Sequence, residues 1–189
     1  MTRRVVSVPG TLITALVLAT TAAIPSAEAT PADASTSPAK HCVLDMGSGE
    51  QSCYRTFTGA IEAASGGEIA DAPASASAAV GDGAFRADLR SLKADDVIQG
   101  TFFEDEQYRG SSLTIWGSGP CEKDGWVDYQ YDLPDEWKNR ISSVQPWAEC
   151  WLWLYPEPGL GGDRDGPFKE NSPAIGSVMN DRTQSIGFS

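Results

Sequence analysis

Histidine is nearly absent from this 189-residue chain, which has His41 and no other. The Ser-His-Asp and Cys-His arrangements that activate a nucleophile need an imidazole at the site. His41 adjoins Cys42, which is expected in a disulfide, so the usual arrangements are closed to the rest of the chain. Zinc lacks ligands for the same reason: Cys42, Cys53, Cys121 and Cys150 include no C-x₂-C spacing, and one histidine does not complete a tetrahedral set. Long apolar runs are scarce as well. The longest, over 12–24, is shorter than the roughly 20 residues that span a bilayer and is interrupted by Thr14, Thr20 and Thr21. Later runs are broken by charge, Gly or Pro within a few residues, so no membrane partner is expected. Basic charge is the third deficit: 14 Lys and Arg face 26 Asp and Glu, for a formal net charge of −12. Phosphate backbones attract basic patches, so this balance argues against a nucleic-acid partner. No Gly-rich phosphate cradle is present either, since 159–162 reads as a hairpin corner.

What is present begins with an export signal. Arg3 and Arg4 precede the apolar stretch, and Ala27-Glu28-Ala29 supplies the small-x-small pattern of a cleavage site, so residues 1–29 read as a signal peptide. A membrane anchor is the rival reading. Loss of two arginines and one glutamate with the signal takes the formal charge from −12 to −13. That acidity suits solubility outside the cell, or an encounter with cations. All four cysteines follow the signal, and an even number in an exported chain implies two disulfides. Three pairings are open. Cys42 with Cys53 and Cys121 with Cys150 is expected, because each pair closes a short loop within one segment and stabilises it by roughly 3 kcal/mol on the loop-entropy model.

Composition divides the mature chain. Residues 30–40 are rich in Ala, Ser, Thr and Pro and read as a disordered leader. Over 41–67, two short strands around Gly47-Ser48-Gly49 precede Phe57, Ile61 and Ala64 at helical spacing, a disulfide-clipped hairpin-helix unit too small for its own core. It must lean on its disulfide or dock elsewhere. Residues 68–96, rich in Ala, Ser, Asp and Gly with Phe85 their one aromatic, read as a linker with a short helix over 84–92. All six tryptophans lie between Trp116 and Trp153, which places the main core in 97–189. There the period is two: Leu113 and Ile115, Trp151, Trp153 and Tyr155, Ile186 and Phe188 alternate with their neighbours, as strands of two packed sheets require.

An order of features repeats within 97–189. Phe103 to Gly110 is matched 52 residues later by Tyr155 to Gly162, and Asn139-Arg140-Ile141-Ser142-Ser143 is matched 42 later by Asp181-Arg182-Thr183-Gln184-Ser185. A strand, an aromatic-to-Gly corner, a strand and a polar loop before another strand make a Greek-key unit, here twice. At these residues the chain resembles the βγ-crystallin superfamily, whose motif is aromatic-x₄-aromatic-x-Gly followed by [Asn/Asp]-[Asn/Asp]-x-x-[Ser/Thr]-Ser. The first corner fits fully; in the second, Leu160 replaces the second aromatic. The resemblance implies an all-β, βγ-crystallin-like double Greek-key sandwich preceded by the hairpin-helix segment. With the signal and disulfides, the chain is similar to secreted bacterial members that include metalloproteinase inhibitors and antifungal, polysaccharide-binding proteins.

The resemblance also implies where calcium would bind, because each superfamily site takes its acidic or amide ligand from one loop and its hydroxyl from the other. Asn180, Asp181 and the adjoining Arg182 would pair with Ser142, whereas the reciprocal place sets Lys138 and Asn139 against Gln184, an ammonium and a long amide where oxygen ligands belong. At most one calcium is expected. The competing reading is that both loops are polar turns. Trp126, Asp128, Tyr129, Tyr131 and Trp137 form a candidate partner-binding patch, or else aromatics that close the end of the sandwich as core. Acid–base chemistry at Glu104, Asp105, Glu106, Asp163 and Asp165 is the one enzymatic alternative, but these residues lie in polar loops. The reading is therefore a secreted, monomeric, non-enzymatic binding module. Metalloprotease inhibition is the alternative, polysaccharide binding is third, and the partner is an extracellular protein or polysaccharide.

Overall fold

A computed structural model describes residues 38–92, 97–148 and 150–189; the expected signal peptide and most of the leader lie outside the described residues. Period-two runs become strands, as their alternation requires. The first corner joins β3 (Val97–Asp105) to β4 (Arg109–Gly117), and then β5 (Tyr129–Asp132) and β6 (Ser143–Pro146) follow. The second motif opens with β7 (Leu152–Tyr155) and β8 (Asp165–Phe168) and closes with β9 (Ser185–Phe188). In one sheet β4, β3 and β6 lie side by side, and in the other β8, β7 and β9 do. The remaining strand of each motif crosses over: β5 pairs with β9, and Ser172 bridges Val144 of β6. This reciprocal exchange is the double Greek-key sandwich expected from the sequence.

The corners repeat in backbone as well as in sequence. Gln107, Tyr108 and Gly110 have φ of 61°, 59° and 73°, and Gly159, Leu160 and Gly162 have 65°, 58° and 78°. Gly110 is required for space too, because a Cβ there would lie 2.7 Å from Asp105 Oδ2. Phe102, Leu113, Ile115, Val144, Leu152, Leu154, Ile186 and Phe188 fill the space between the sheets, with Trp137 and Ile141 in the same core.

The N-terminal half departs from the expected division into unit, linker and domain. β1 (His41–Asp45) does form a hairpin with β2 (Gln51–Tyr54), but β1 also pairs in parallel with β4, His41 to Ser112 through Asp45 to Trp116, so the hairpin extends the first sheet to five strands. The stretch expected as a linker carries α2 (Ala76–Ala79) and α3 (Gly83–Ser91) after α1 (Phe57–Ala64). Ile69, Ala72, Ala76, Ala79, Phe85, Leu89 and Leu92 are buried there in one cluster with Val43, Phe57, Ile61, Ile98, Phe103 and Trp147. The helices cover the outer face of the first sheet, which is partly polar. Gln145 Nε2 donates to the Ala76 carbonyl at 3.2 Å, and Trp147 Nε1 donates to Thr101 Oγ1 at 3.1 Å. Small alanines let the covering backbone approach such a face closely, and their composition is what made the segment look like a linker. The disulfides join Cys42 to Cys53 and Cys121 to Cys150, as expected.

Candidate functional site

Two loops from different motifs meet at one end of the sandwich. Ser142, just before β6, and Asp181, in the turn before β9, come from the paired Asn/Asp loops, and Ser142 Oγ donates to Asp181 Oδ1 at 3.4 Å. Asp181 takes a left-handed conformation, φ 55°, as its counterpart Asn139 does at 59°; short polar side chains tolerate that region best. Asn180 Nδ2 donates to Asp181 Oδ2 at 2.8 Å. The first corner contributes Glu104, Asp105 and Glu106 to the same open cleft, together with Arg109 and Arg140. Sequence reasoning had considered these carboxylates only as an acid–base alternative. The 52-residue corner offset, laid over the crossed loops, is the signal that would have brought them to the cleft. Asp163 and Asp165 do not line it.

Charge in the cleft is partly neutralised. Arg140 forms an ion pair with Glu104, and its Nη1 donates to the Glu136 carbonyl at 2.8 Å. Burial pushes the Glu104 carboxyl up, but hydrogen bonds from Arg140 and Ser111 and the Arg140 charge outweigh it and hold the group below the usual glutamate range. Arg109 Nε donates to the Glu106 carbonyl at 3.2 Å. The donors suit calcium in kind, being oxygens of carboxylate, amide and hydroxyl. Among the described residues, however, no three Asp, Glu, His or Cys side chains converge closely enough to hold a metal ion. Arg182 does not line the cleft; its Nη1 donates to the Val178 carbonyl at 3.0 Å. The loop equivalent to 180–181 in the first motif carries Lys138, whose Nζ lies 2.6 Å from Asp135 Oδ1, and the second corner carries Pro156 and Pro158 around Glu157.

Two corners with matching positive-φ residues, each held by a serine of its own motif, decide the architecture. The fold is βγ-crystallin-like. No family model matches the chain, and no curated protein matches it. Among solved structures, it is similar to a βγ-crystallin domain from Clostridium beijerinckii, at 18% identity over 48% of this chain and 95% of that one, with a TM-score of 0.37. It is also similar to a βγ-crystallin domain from Flavobacterium johnsoniae, at 20% identity over 48% and 92%, TM-score 0.37. The N-terminal domain of Protein S gives 22% identity over 48% and 94%, TM-score 0.38.

The expected partner-binding patch is divided by the structure. Trp137 is buried in the core under Arg140, whose guanidinium carbon lies 5.7 Å from the ring centroid; it packs the end of the sandwich and is not available to a partner. Tyr129 and Tyr131 are half-buried on β5, where Tyr129 lines a small cleft with Asp45, Met46 and Trp116. Asp128 braces its own loop, accepting the Glu122 N–H at 2.9 Å. Trp126 stands apart, 77% exposed.

Proposed function

We infer that this chain is a secreted, non-enzymatic βγ-crystallin-like module that binds an extracellular protein through the Trp126 loop; a calcium ion in the Ser142–Asp181 cleft would have to use the Ser142 hydroxyl and the Asn180 amide beside the Asp181 carboxylate, since among the described residues no three acidic side chains converge there. The observation that carries the reading is the exposure of Trp126, at 77%, on a braced loop. Tryptophan is enriched among the residues that dominate protein interfaces. The loop is held before binding. Cys121–Cys150 closes it, Asp124 Oδ1 accepts the Trp126 N–H at 2.8 Å, and the Asp128 N–H donates to the Phe188 carbonyl at 2.8 Å. Such bracing lowers the entropy lost on docking. Secretion is supported by the Arg3 to Ala29 pattern and by the two disulfides.

Metalloprotease inhibition is the specific form of this reading to test first, because a rigid stapled loop with an exposed anchor is what an inhibitor presents. The mature protein is titrated against a thermolysin-like protease and run over insoluble polysaccharide, each beside Trp126→Ala. Stoichiometric inhibition by intact protein, lost in the variant at unchanged melting temperature, supports it. Absence of inhibition at micromolar protein rejects it for that protease. Retention on polysaccharide that Tyr129→Ala and Tyr131→Ala abolish, with Trp126→Ala neutral, favours the polysaccharide reading instead.

A further inference from the structure

Gln99 is the extra residue of a bulge in β3: Ile98 pairs with Trp116 and Gly100 with Ile115, and Gln99 falls between them. A bulge re-aims the side chain it carries. Here the side chain is fully buried, with Nε2 donating to the Gly119 carbonyl at 2.8 Å and Oε1 without a partner among the described residues. The bond to Gly119 fixes which end of the amide is oxygen. A buried acceptor that no donor reaches is uncommon and costs stability. Oε1 lies against Gly117, where an added Cβ would stand 3.1 Å from it and 2.8 Å from Met46 Cε. Gly117 is in turn part of the wall of an open cleft, of about 200 Å³, together with Asp45, Met46, Trp116, Ser118 and Tyr129. Asp45 and Trp116 are neighbours across the parallel β1–β4 pair, and both also line a second cleft beside Glu50 and Tyr54. Among the described residues, no Lys or Arg lines either cleft.

The rest of the chain shows what such a place accepts. Four of the six tryptophans carry a cation of the chain over the ring: Arg86 on Trp147, Arg140 on Trp137, Arg164 on Trp153 and Lys169 on Trp151. Trp116 carries none among the described residues, yet it stands beside a carboxylate. The Ser48 hydroxyl, with the Gly47 and Ser48 N–H groups, outweighs burial and holds the Asp45 carboxyl below the usual aspartate range, so Asp45 is charged at neutral pH. We propose that the Asp45–Trp116 cleft binds an alkylammonium group, as a lysine side chain of a partner or a free polyamine carries it. The ammonium brings one positive charge and three donors. The charge suits Asp45 and the Trp116 ring, and a proton suits Gln99 Oε1 once the adaptable Met46 side chain moves aside. A hard metal ion would want six to eight oxygens and gains nothing from an indole. The cleft is several times the roughly 30 Å³ of one water and smaller than the roughly 300 Å³ at which pockets for whole small molecules begin, so it admits a chain end. Trp126 does not line it, so this proposal and the Trp126 reading fail independently.

The full mature protein is titrated at low salt, without calcium, with an end-blocked trilysine peptide, with the same peptide acetylated at each Nε, and with spermidine. Calorimetry and the indole N–H signals in NMR follow the binding, the Trp116 signal being the one lost in Trp116→Leu. The expected result is binding of trilysine, spermidine or both at roughly millimolar affinity or tighter, with a shift of the Trp116 signal and an inert acetylated peptide. Tighter binding of the peptide assigns the site to a protein partner, and tighter binding of spermidine assigns it to a free polyamine. Asp45→Asn should weaken binding by about tenfold, the scale of one charge-assisted contact, and Trp116→Leu by about three- to fivefold. Asp163→Asn, at an exposed carboxylate outside the cleft, should leave it unchanged. If Asp45→Asn loses its fold, Trp116→Leu and the Trp116 signal decide. No binding at about 10 mM ligand, an equal loss with Asp163→Asn, equal binding of the acetylated peptide, or shifts confined to other indoles would each overturn the proposal.

Discussion

Ser143 holds the first corner by way of Tyr108: its Oγ accepts the Tyr108 N–H at 3.1 Å and donates to the Asp105 carbonyl at 2.7 Å. Ser185 repeats the arrangement in the second motif, accepting the Leu160 N–H at 3.0 Å and donating to the Glu157 carbonyl at 2.6 Å. One hydroxyl thus satisfies two backbone groups at the place where the chain turns left-handed. Ser143→Ala and Ser185→Ala should each cost about 1–3 kcal/mol, because both corner groups lose a partner in a partly buried setting. Urea unfolding checks this. A loss confined to one corner would break the equivalence of the two motifs.

The helical cover gives a second test. Phe85 is buried at 3% exposure and meets Trp147 edge-on at a centroid distance of 5.8 Å. Phe85→Ala should destabilise the whole unit by about 3–5 kcal/mol, as truncation of a buried aromatic does. Were 68–96 a linker, the same change would stay within about 0.5 kcal/mol. Equilibrium denaturation with a single cooperative transition separates the two outcomes.

Much of this was legible in the sequence, and the rest was hidden for physical reasons. Period-two alternation in 97–189, the 52-residue corner offset and the two local disulfides all led to the observed strands. Leu160 in place of an aromatic left the second corner uncertain, yet the turn holds because the Ser185 hydroxyl, present in both motifs, satisfies its backbone. The cover was missed because its apolar residues are largely alanines, which carry little periodic signal, and because its target face includes Thr101, Thr114 and Gln145, all buried. The parallel pairing of β1 with β4 joins residues some seventy positions apart, and local pattern does not encode that. Trp126 and Trp137 look alike in sequence; whether the chain on either side is stapled outward or packed inward decides which one meets solvent.

His41 offers a pH test that the rest of the chain does not confuse. Burial lowers its pKa from the ordinary 6.5, and Nδ1 lies 2.8 Å from Ser112 Oγ. A folded value below the unfolded one means the unfolded chain takes up the proton first. Stability is then fully present above about 6.5 and declines as pH falls through the lower folded value. Glu104, held below the usual glutamate value, acts in the same direction only at more acid pH: its contribution is present above the unfolded glutamate pKa and is lost as pH falls through the depressed one. Denaturation at pH 7.5 and pH 5 should therefore differ, and the single imidazole signal in NMR should titrate below 6.5. Equal stability at the two pH values would show that His41 is not protected.

Calcium provides the last prediction. Asn180, Asp181 and Ser142 share one cleft with Glu104, Asp105 and Glu106, while the equivalent positions in sequence are Lys138, Asn139 and Gln184, with Pro156, Glu157 and Pro158 in the second corner. An ammonium repels a divalent cation, and proline and amide in place of acid and hydroxyl remove charge and oxygen from the second site. At the first, Arg140 already neutralises Glu104, and Ser142 and Asp181 must give up their mutual hydrogen bond to a cation. Isothermal titration should thus find one calcium of modest affinity, with a melting temperature that rises with calcium through linkage. Asp181→Ala together with Ser142→Ala should abolish both effects. Lys138→Asn together with Gln184→Ser removes the ammonium and restores the loop hydroxyl but leaves Pro156 and Pro158 in the corner, so a second calcium in that variant should bind more weakly than the first. A site that survives the first pair of changes, or two equivalent sites in the unchanged protein, would show that the ligands lie elsewhere.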